Sequence, residues 1–589
     1  KVSDFKQRCT LSDGFIKQLM KTGVVDDVVQ LAKLKALAAL KKTDGTKKSS
    51  LRGMAKLEDA VWAGTRKGHL CRLILTEGDS AKTFAIDGLS NIGREKYGVF
   101  PLKGKMMNVR DASTKQIMDN DEITNVKKIM GLKQNKKYTD TKQLRYGGII
   151  ILTDQDVDGS HIKGLIMNFI HFFWPSLAKI EGFIQSLTTP IIKVFKSTNQ
   201  KGTPLETFYT LSSYNQWKEK QDDISKFTAK YYKGLGTSTR KEAIKDFTDI
   251  EKKLITYAWD VPDEDGDSES EDESESELED ESESEDESDK ESTEKSSKKS
   301  KVESEEDPLA DRMHPSYNSI TLAFAKRRAN DRKHWLSKYD PDNVLENNQK
   351  TVTIPEFINQ DLIHFSFADN ERSIPSMCDG FKPSQRKILF GSIHMKLDKR
   401  EVKVEELSGY VSAVAAYHHG GASMQGTIVG MAQDYVGANN INLLLPNGQF
   451  GTRRTGGKDS ASARYIHTEL NKLTSLIFRK EDEPIYIHVV DDGKIVEPQT
   501  YAPVIPMILV NGTDGIGTGF STCVPCYNPK DLVACLKAIM NGEELPEIKP
   551  WYYGFKGTVT PQTPLKKDGQ PPGYVTEGCH EIVNKNLLK

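Results

Sequence analysis

The chain has 589 residues, 37% of them hydrophobic and 28% charged, which is more than one core organises and enough for several packed domains. Its net charge of −2 conceals an asymmetry: residues 263–307 carry 24 acids against 5 lysines, so the remainder stands near about +17 and points to a polyanionic partner. No run of about twenty apolar residues and no signal peptide is present, which argues against a membrane partner; seven scattered cysteines, with Cys523 and Cys526 as the lone C-x-x-C pair, argue against a disulfide framework or a zinc site.

Charge alone does not separate a polyanion binder from a soluble protein with a basic surface, so the chain has to be read in order. It starts on Lys1, not methionine, and reads as part of something longer. Residues 1–40 are rich in helix formers (VVQLAKLKALAAL), and Lys41 to Arg52 reads as a basic linker. Cys71 to Leu75 (CRLIL) reads as a buried strand, Glu77 falls at its end, and a helix is expected from Ser80 onward. Gly147 to Gly164 (GGIIILTDQDVDGSHIKG) repeats the pattern: a continuous apolar run, then Asp154, Asp156 and Asp158. Acids at the carboxyl end of a buried strand sit where open α/β sheets place ligands, and crowded carboxylates with all-oxygen donors suit Mg²⁺. The bland alternative is an acidic loop after a strand. A calcium loop fits poorly, because its twelfth position is Leu165 and not glutamate.

Four segments in order now match a pattern: EGDSA (Glu77 to Ala81), PLKGKMMNV (Pro101 to Val109), TDQDVDGSHIKG (Thr153 to Gly164) and YYKGLGTST (Tyr231 to Thr239). Together they resemble the Toprim domain of the type IIA topoisomerases. The resemblance implies a metal site of Glu77, Asp154 and Asp156 with Asp158 nearby, and DNA contacts at Lys105 and Asn108. Taken singly, each lysine here reads as a solvated charge.

Pro262 to Pro308 is Ser, Glu and Asp with few apolar residues, and is expected to be a disordered insertion with no catalytic role. Thr321 to Leu336 (TLAFAKRRANDRKHWL) reads as one amphipathic basic helix with Lys326, Arg327 and Arg328 as a phosphate-seeking patch. Pro383 before an apolar stretch marks a helix N-terminus carrying Arg386 and Lys387, another phosphate-friendly end. His418 and His419 follow in a helix-rich region. A glycine- and threonine-rich loop then bears Arg453, Arg454 and Lys458, and a helix is expected over SARYIHTELNKL. A tyrosine there is ordinarily packing, yet a basic loop leading into Arg464-Tyr465 is what phosphodiester chemistry by a phenol needs. This part resembles the breakage-reunion domain of the same family, which implies that Tyr465 forms a 5′-phosphotyrosyl bond, that Arg464 stabilises the transition state, and that His418 and His419 contact DNA. PVIPMILVNGTDGIGTGFST reads as an apolar strand and a Gly-rich loop whose glycines let backbone approach something closely. G-I-G-T-G is not a dinucleotide fingerprint, and a buried isoleucine is the bland reading of it. The resemblance instead implies that Ile516 is a wedge between base pairs. Strands are expected after Pro550.

The expected architecture is thus α/β plus α+β and multidomain. Residues 1–50 form the end of a transducer region and linker, 51–255 the Toprim domain, 262–308 the acidic insertion and 309–365 a basic connector. A helix-rich winged-helix domain with the tyrosine takes 366–505, and a mostly β tower domain starts at 506–589. The fused order resembles the eukaryotic-type enzymes. It implies double-stranded DNA and a homodimer as partners, Mg²⁺ as cofactor (Mn²⁺ or Ca²⁺ as substitutes) and a nuclear location. No complete ATPase module is visible, so ATP would serve a full-length parent, not this fragment. The rival readings are a DNA-holding module with a decayed site and a Toprim enzyme of another kind, a primase or nuclease, which would lack the tyrosine domain.

Overall fold

The computed structural model describes residues 13–48, 50–51, 53–198, 204–232, 234–259, 314–345, 349–491, 494–562, 573–580, 582–584 and 587–588. The acidic stretch 262–308 and Lys233 of the YYKGLGTST segment lie outside them. The chain divides into two compact units, residues 1–328 with 340–363, and residues 329–339 with 364–589.

The first unit opens with helices α1 (Asp13–Lys21) and α2 (Val24–Lys41). The buried Lys127 ammonium reaches Leu40 O at 3.1 Å and Thr43 Oγ1 at 2.8 Å, which ties the carbonyl end of α2 to the body of the unit. Lysine at a helix C-terminus satisfies carbonyls that the helix itself leaves open. The body is a six-stranded sheet in the order β2-β1-β3-β4-β8-β9. Its strands are β1 (Arg72–Thr76), β2 (Tyr97–Pro101), β3 (Gly148–Leu152), β4 (Ile184–Leu187), β8 (Leu254–Ala258) and β9 (Thr351–Thr353). β1, β2, β3 and β4 run parallel, and β8 is antiparallel to β4. Every residue of β3 is buried, as a strand covered on both faces requires. Each such Ile or Leu contributes about 2 kcal/mol relative to an exposed one. The strands β5 (Ile192–Lys196), β6 (Glu206–Phe208) and β7 (Phe227–Tyr231) form a separate antiparallel sheet.

Two crossovers matter for the site. Helix α3 (Asp79–Ile92) follows β1 directly and packs on α5 (Arg240–Phe247), with Phe84 and Phe247 edge to face at 5.9 Å. Helix α4 (Val157–Phe173) follows β3, and Asp156 caps it by accepting from Gly159 N at 2.7 Å. Inside α4, Lys163 is buried and paired with Asp361 at 2.9 Å, and Ser160 Oγ donates to the other Asp361 oxygen at 2.5 Å. Burial opposes the Lys163 charge, but Asp361 outweighs it and holds the ammonium above its usual range.

The expected single helix over Thr321 to Leu336 is two. Helix α6 (Pro315–Phe324) ends at Ala325, Lys326–Arg328 form a 3₁₀ turn, and α7 (Ala329–Ser337) starts the second unit. The turn is fixed where Lys326 N donates to Asp111 Oδ2 at 2.8 Å, a tertiary bond that replaces helix continuity.

The second unit continues through α8 (Ile363–Ser373), α9 (Pro383–His394), α10 (Val404–Val414) and α11 (Gly421–Ala432). Ile388, Leu407, Val411, Met424, Ile428, Phe450 and Ile466 fill its core. Its strands are short pairs: β10 (Val402–Lys403) with β11 (His467–Thr468), β12 (His488–Asp491) with β13 (Lys494–Pro498), β14 (Thr513–Ile516) with β15 (Ser521–Val524), and β16 (Thr558–Pro561) with β17 (Tyr574–Glu577). Helix α12 (Lys472–Ile477) follows β11. The expected apolar strand before the Gly-rich loop is instead a short helix, α13 (Met507–Asn511), after Pro506. Residues 506–589 also hold α14 (Pro529–Asn541) beside their strand pairs, with Asn528 as N-cap, Pro529 in the first turn and Gly542 left-handed at its end.

Candidate active site

The acids lie where two parallel strands end together. The register pairs Thr76 with Leu152, so the chain leaves β1 at Glu77 and β3 at Asp154 side by side. Glu77 Oε2 lies 3.4 Å from the Asp154 amide, and Asp154 Oδ1 accepts from the Leu235 amide at 2.7 Å. Asp156 caps α4, and Asp158, in its first turn, pairs with Lys105 at 2.6 Å. Burial pushes the Glu77 carboxyl up to about 7, with Asp154, then Asp156 and Asp158, adding to the rise. Asp154 is raised as well, by burial first, while the Leu235 amide opposes the rise. The cluster therefore carries more like charge than it can hold unneutralised, and its donors are all oxygens, a chemistry that fits a hard divalent cation. Among the described residues no three His, Cys, Asp or Glu side chains close on one point at ligating distance. Asp156 and Asp158 are engaged with Gly159 and Lys105.

Tyr465 lies in the second unit. The helix expected over SARYIHTELNKL is absent up to Asn471: residues 463–465 are a turn, with Tyr465 N on Ser462 O at 2.9 Å, and His467–Thr468 are a strand. Tertiary pairing overrides the local helix propensity. β11 pairs with β10, while His467 also exchanges backbone bonds with Asn447 at 3.0 and 3.1 Å. Buried Ile466 and Thr468 pin the segment on either side of His467. The outcome is a tyrosine 66% exposed, with the Arg464 guanidinium 4.9 Å from its ring.

The loop before it is not slack. Thr452 donates to Asp459 through its amide and its hydroxyl, both at 2.8 Å, and Thr455 Oγ1 donates to the same carboxylate. Gln433 Nε2 holds Phe450 O at 2.8 Å and Gly457 O at 3.3 Å. Arg453, Arg454 and Lys458 project from this stapled loop into solvent.

The remaining expected contacts fall into two groups. Lys326 and Arg327 are exposed, and Arg328 is half-buried with its guanidinium on Asn318 O at 3.2 Å. His418 and His419 are exposed in the turn between α10 and α11; His418 lies 3.8 Å from Asp491. The others are built into the fold. Arg386 is 8% exposed and bidentate on the fully buried Asp379 at 2.8 and 3.2 Å. Lys387 meets Ala415 O at 2.6 Å and Glu497 at 2.9 Å. Asn108 donates to Phe324 O at 2.8 Å. Arg386 and Lys387, expected at a phosphate-friendly helix N-terminus, are each paired with a buried carboxylate, Asp379 and Glu497.

Ile516 is the last residue of β14 and is 83% exposed. The glycines around it do bring backbone close to neighbours. A Cβ on Gly515 would lie 2.4 Å from Ser373 O, and one on Gly517 would lie 2.1 Å from Asn370 Oδ1. At Gly519, φ is +78°.

Residues 72–186 match the Toprim domain family, and residues 187–304 and 283–370 match the C-terminal associated domain of Toprim. Residues 372–586 match the family of the DNA gyrase and topoisomerase IV A-type subunits. Over all of its length the chain is 47% identical to DNA topoisomerase 2 of Acanthamoeba polyphaga mimivirus and 46% identical to DNA topoisomerase 2 of Saccharomyces cerevisiae. The crystal structure of the Plasmodium falciparum topoisomerase II DNA-binding, cleavage and re-ligation domain superposes with a TM-score of 0.66 at 43% identity, covering 91% of this chain and 65% of that one. The chain belongs to the type II DNA topoisomerase family. It spans 46% of the length of the mimivirus relative and 37% of that of the yeast relative. The four acids lie within the Toprim match, Leu235 within that of the associated domain, and Tyr465 within the gyrase and topoisomerase IV match. Among the described residues no helix is long and apolar enough to cross a membrane.

Several residues of the site carried no role in the sequence reading. The Leu235 amide could have been suspected from its place in the KGLGTST segment. Asp379, Asp361 and Glu497 gave no sequence signal, since an acid that will pair with a cation inside the fold looks like any other acid; nor did Asp459, whose partners are the Thr452 and Thr455 donors.

Proposed function

We propose that the chain makes a transient double-strand break in duplex DNA and reseals it, with one Tyr465 from each of two copies attacking one strand. The observation that carries this reading is the exposed Tyr465 phenol on a turn beside Arg464, at the foot of a stapled basic loop. In each strand a bond forms between Tyr465 Oη and phosphorus, and the bond from phosphorus to the 3′-oxygen breaks. The phenol proton passes to solvent, and the 3′-oxygen takes one up. Arg464 donates to the charge that builds on the phosphoryl oxygens. Reversal reseals the strand, because the phosphotyrosyl bond keeps the energy of the bond it replaced. Mg²⁺, with Mn²⁺ or Ca²⁺ as stand-ins, would be held by Glu77, Asp154 and Asp156 with Asp158 beside them, and would polarise the scissile phosphate and assist the leaving 3′-oxygen.

Lys105, Lys326, Arg327, Arg328, His418 and His419 are assigned to the DNA backbone, and Ile516 to a kink. Arg386, Lys387 and Asn108 are assigned to DNA as well, the first two held in place by Asp379 and Glu497 and the third by Phe324 O. Passage of a second duplex with ATP, relaxing and decatenating DNA in the nucleus, is the reading for a whole protein of the relatives' length, and no residue here is assigned to ATP. The test is a denaturing trap. The chain is incubated with supercoiled plasmid and Mg²⁺, stopped with detergent and digested with protease. Linear DNA with protein on its 5′ ends is expected, lost in Tyr465→Phe and in Asp154→Ala. Cutting that survives Tyr465→Phe would overturn the reading in favour of a Toprim nuclease using water. Binding without any cutting would favour a DNA-holding module.

A further inference from the structure

A two-stranded hairpin is marginal on its own, so an isoleucine at its tip holds no fixed height unless other elements seize the turn. Here the turn 517–520 closes with Gly517 N on Phe520 O at 2.9 Å, and two consecutive residues of α8 reach it. Asn370 Nδ2 donates to Thr518 O at 3.1 Å, and Thr518 Oγ1 donates to Asp369 Oδ2 at 3.0 Å. The second Asp369 oxygen accepts from Ser373 Oγ at 3.3 Å, which sets the rotamer of the carboxylate. Asn370 Oδ1 is buried against Gly517 with no hydrogen-bond partner, a cost accepted for close approach. On the other side Gly519 rests on α7, where an added Cβ would lie 3.2 Å from Arg332 Cβ. The turn is thus gripped by one backbone and one side-chain bond at Thr518 and flanked by glycines pressed on α7 and α8.

We propose that Asp369, Asn370 and Thr518 form a clamp that fixes the projection of Ile516, and are positioning residues for DNA bending. The inference rests on the reading of Ile516 as a wedge. A wedge does work on stacked bases only if its support does not yield, because unstacking a step costs a few kcal/mol and a compliant hairpin would fold back instead. The clamp resists that recoil. The three glycines of Gly515 to Gly519 then serve contact, not mobility.

The test uses this chain with an intact duplex of about 30 base pairs carrying a fluorophore at each end, and the same duplex nicked at its centre, where bending is cheap. Bend is read by energy transfer, affinity by anisotropy, and folding by thermal melting, for wild type, Ile516→Ala, Thr518→Val, Thr518→Ser and Asn370→Asp. Thr518→Val keeps the side-chain shape and removes the hydroxyl. It is expected to reduce the bent fraction of the intact duplex about fivefold, as Asn370→Asp does. For Thr518→Val, which changes no charge, affinity for the nicked duplex and the melting temperature should stay at wild-type values, and Thr518→Ser should restore the bend. If Ile516→Ala bends DNA normally, the wedge reading itself is wrong. If Ile516→Ala loses the bend while Thr518→Val and Asn370→Asp keep it, the clamp is wrong and the wedge stands. If Thr518→Val melts early and also loses the nicked duplex, its role is folding alone and the inference falls.

Discussion

The two candidate regions, the acid cluster and the tyrosine side, are built by opposite means. In the first unit the acids hang from the ends of buried parallel strands, and Glu77 is driven up to about 7 by burial and by its neighbours. In the second unit Tyr465 and Ile516 are 66% and 83% exposed, on a turn and a hairpin tip held by hydrogen bonds made around them. The first region stores electrostatic demand in a rigid frame; the second leaves Tyr465 and Ile516 in water and spends its order on the loops that hold them. The proposed cation site would gain from low dielectric, whereas the proposed nucleophile, which would have to meet a long polymer, would gain from access.

Removing one member of each half sharpens that contrast most. Asp154→Ala and Tyr465→Phe should each lower covalent cleavage by at least about 1000-fold, a loss typical of first-rank catalytic groups. They should differ when no metal is added. Asp154→Ala takes away a like charge beside Glu77, so the Glu77 carboxyl should return towards its ordinary range and the metal-free first unit should melt later near pH 8. Tyr465→Phe should leave melting unchanged. Melting curves that move equally for both would mean that the acid cluster carries no electrostatic demand.

The next effect in size tests the Arg386–Asp379 pair. Asp379→Ala leaves the Arg386 guanidinium buried and uncompensated, at a cost of about 3–5 kcal/mol. Calorimetry should show the second unit unfolding early, and Asp379→Leu with Arg386→Met should recover most of the loss. If Arg386→Met alone preserves stability and weakens DNA binding, Arg386 serves the polymer and not the fold.

What the sequence made legible follows the same division. Continuous apolar runs followed by acids announce buried parallel strands and a polar edge, so β1, β3, Glu77 and Asp154 stand where the pattern put them. The stretch around Tyr465 misled because ARYIHTEL has helical composition, while residues far off in sequence, Val402 and Lys403 in β10 with Leu445 and Asn447, turn it into a strand. The break at Ala325 depended on a bond to Asp111, likewise invisible locally. The N-terminus of α9 was legible at Pro383, while the acid that pairs with Arg386 lies in the preceding loop and gave no signal.

A smaller effect concerns protons at the acid cluster. Because the Glu77 carboxyl is raised to about 7, the folded chain holds a proton there between the ordinary carboxylate range and pH 7 that the unfolded chain does not. The metal-free fold therefore loses stability as pH rises through that window, and cation binding below pH 7 must expel the proton. Calorimetric titration with Mg²⁺ in buffers of different ionisation enthalpy should show close to one proton released at pH 6 and almost none at pH 8.5. Equal release at both would remove Glu77 from the cation's shell.

The smallest expected effect is the most diagnostic for the tyrosine side. Asp459 is exposed, yet hydrogen bonds from Thr455 and then Thr452 hold its carboxyl down to about 2. Its staple is complete above the ordinary carboxylate range and is lost only as pH falls through about 2, so pH cannot open the loop under working conditions. Asp459→Asn can, since the amide keeps one acceptor oxygen where the carboxylate offered two. The substitution also deletes a negative charge beside Arg453, Arg454 and Lys458, which by itself favours a polyanion. The two effects have opposite signs, and that separates them. If Asp459 were an ordinary surface acid, DNA affinity and cleavage would rise together. As the staple of the loop that leads to Arg464 and Tyr465, its loss should leave affinity equal or higher while cleavage falls about fivefold. Thr452→Val, which removes one donor and no charge, should reproduce the fall in cleavage without the gain in affinity.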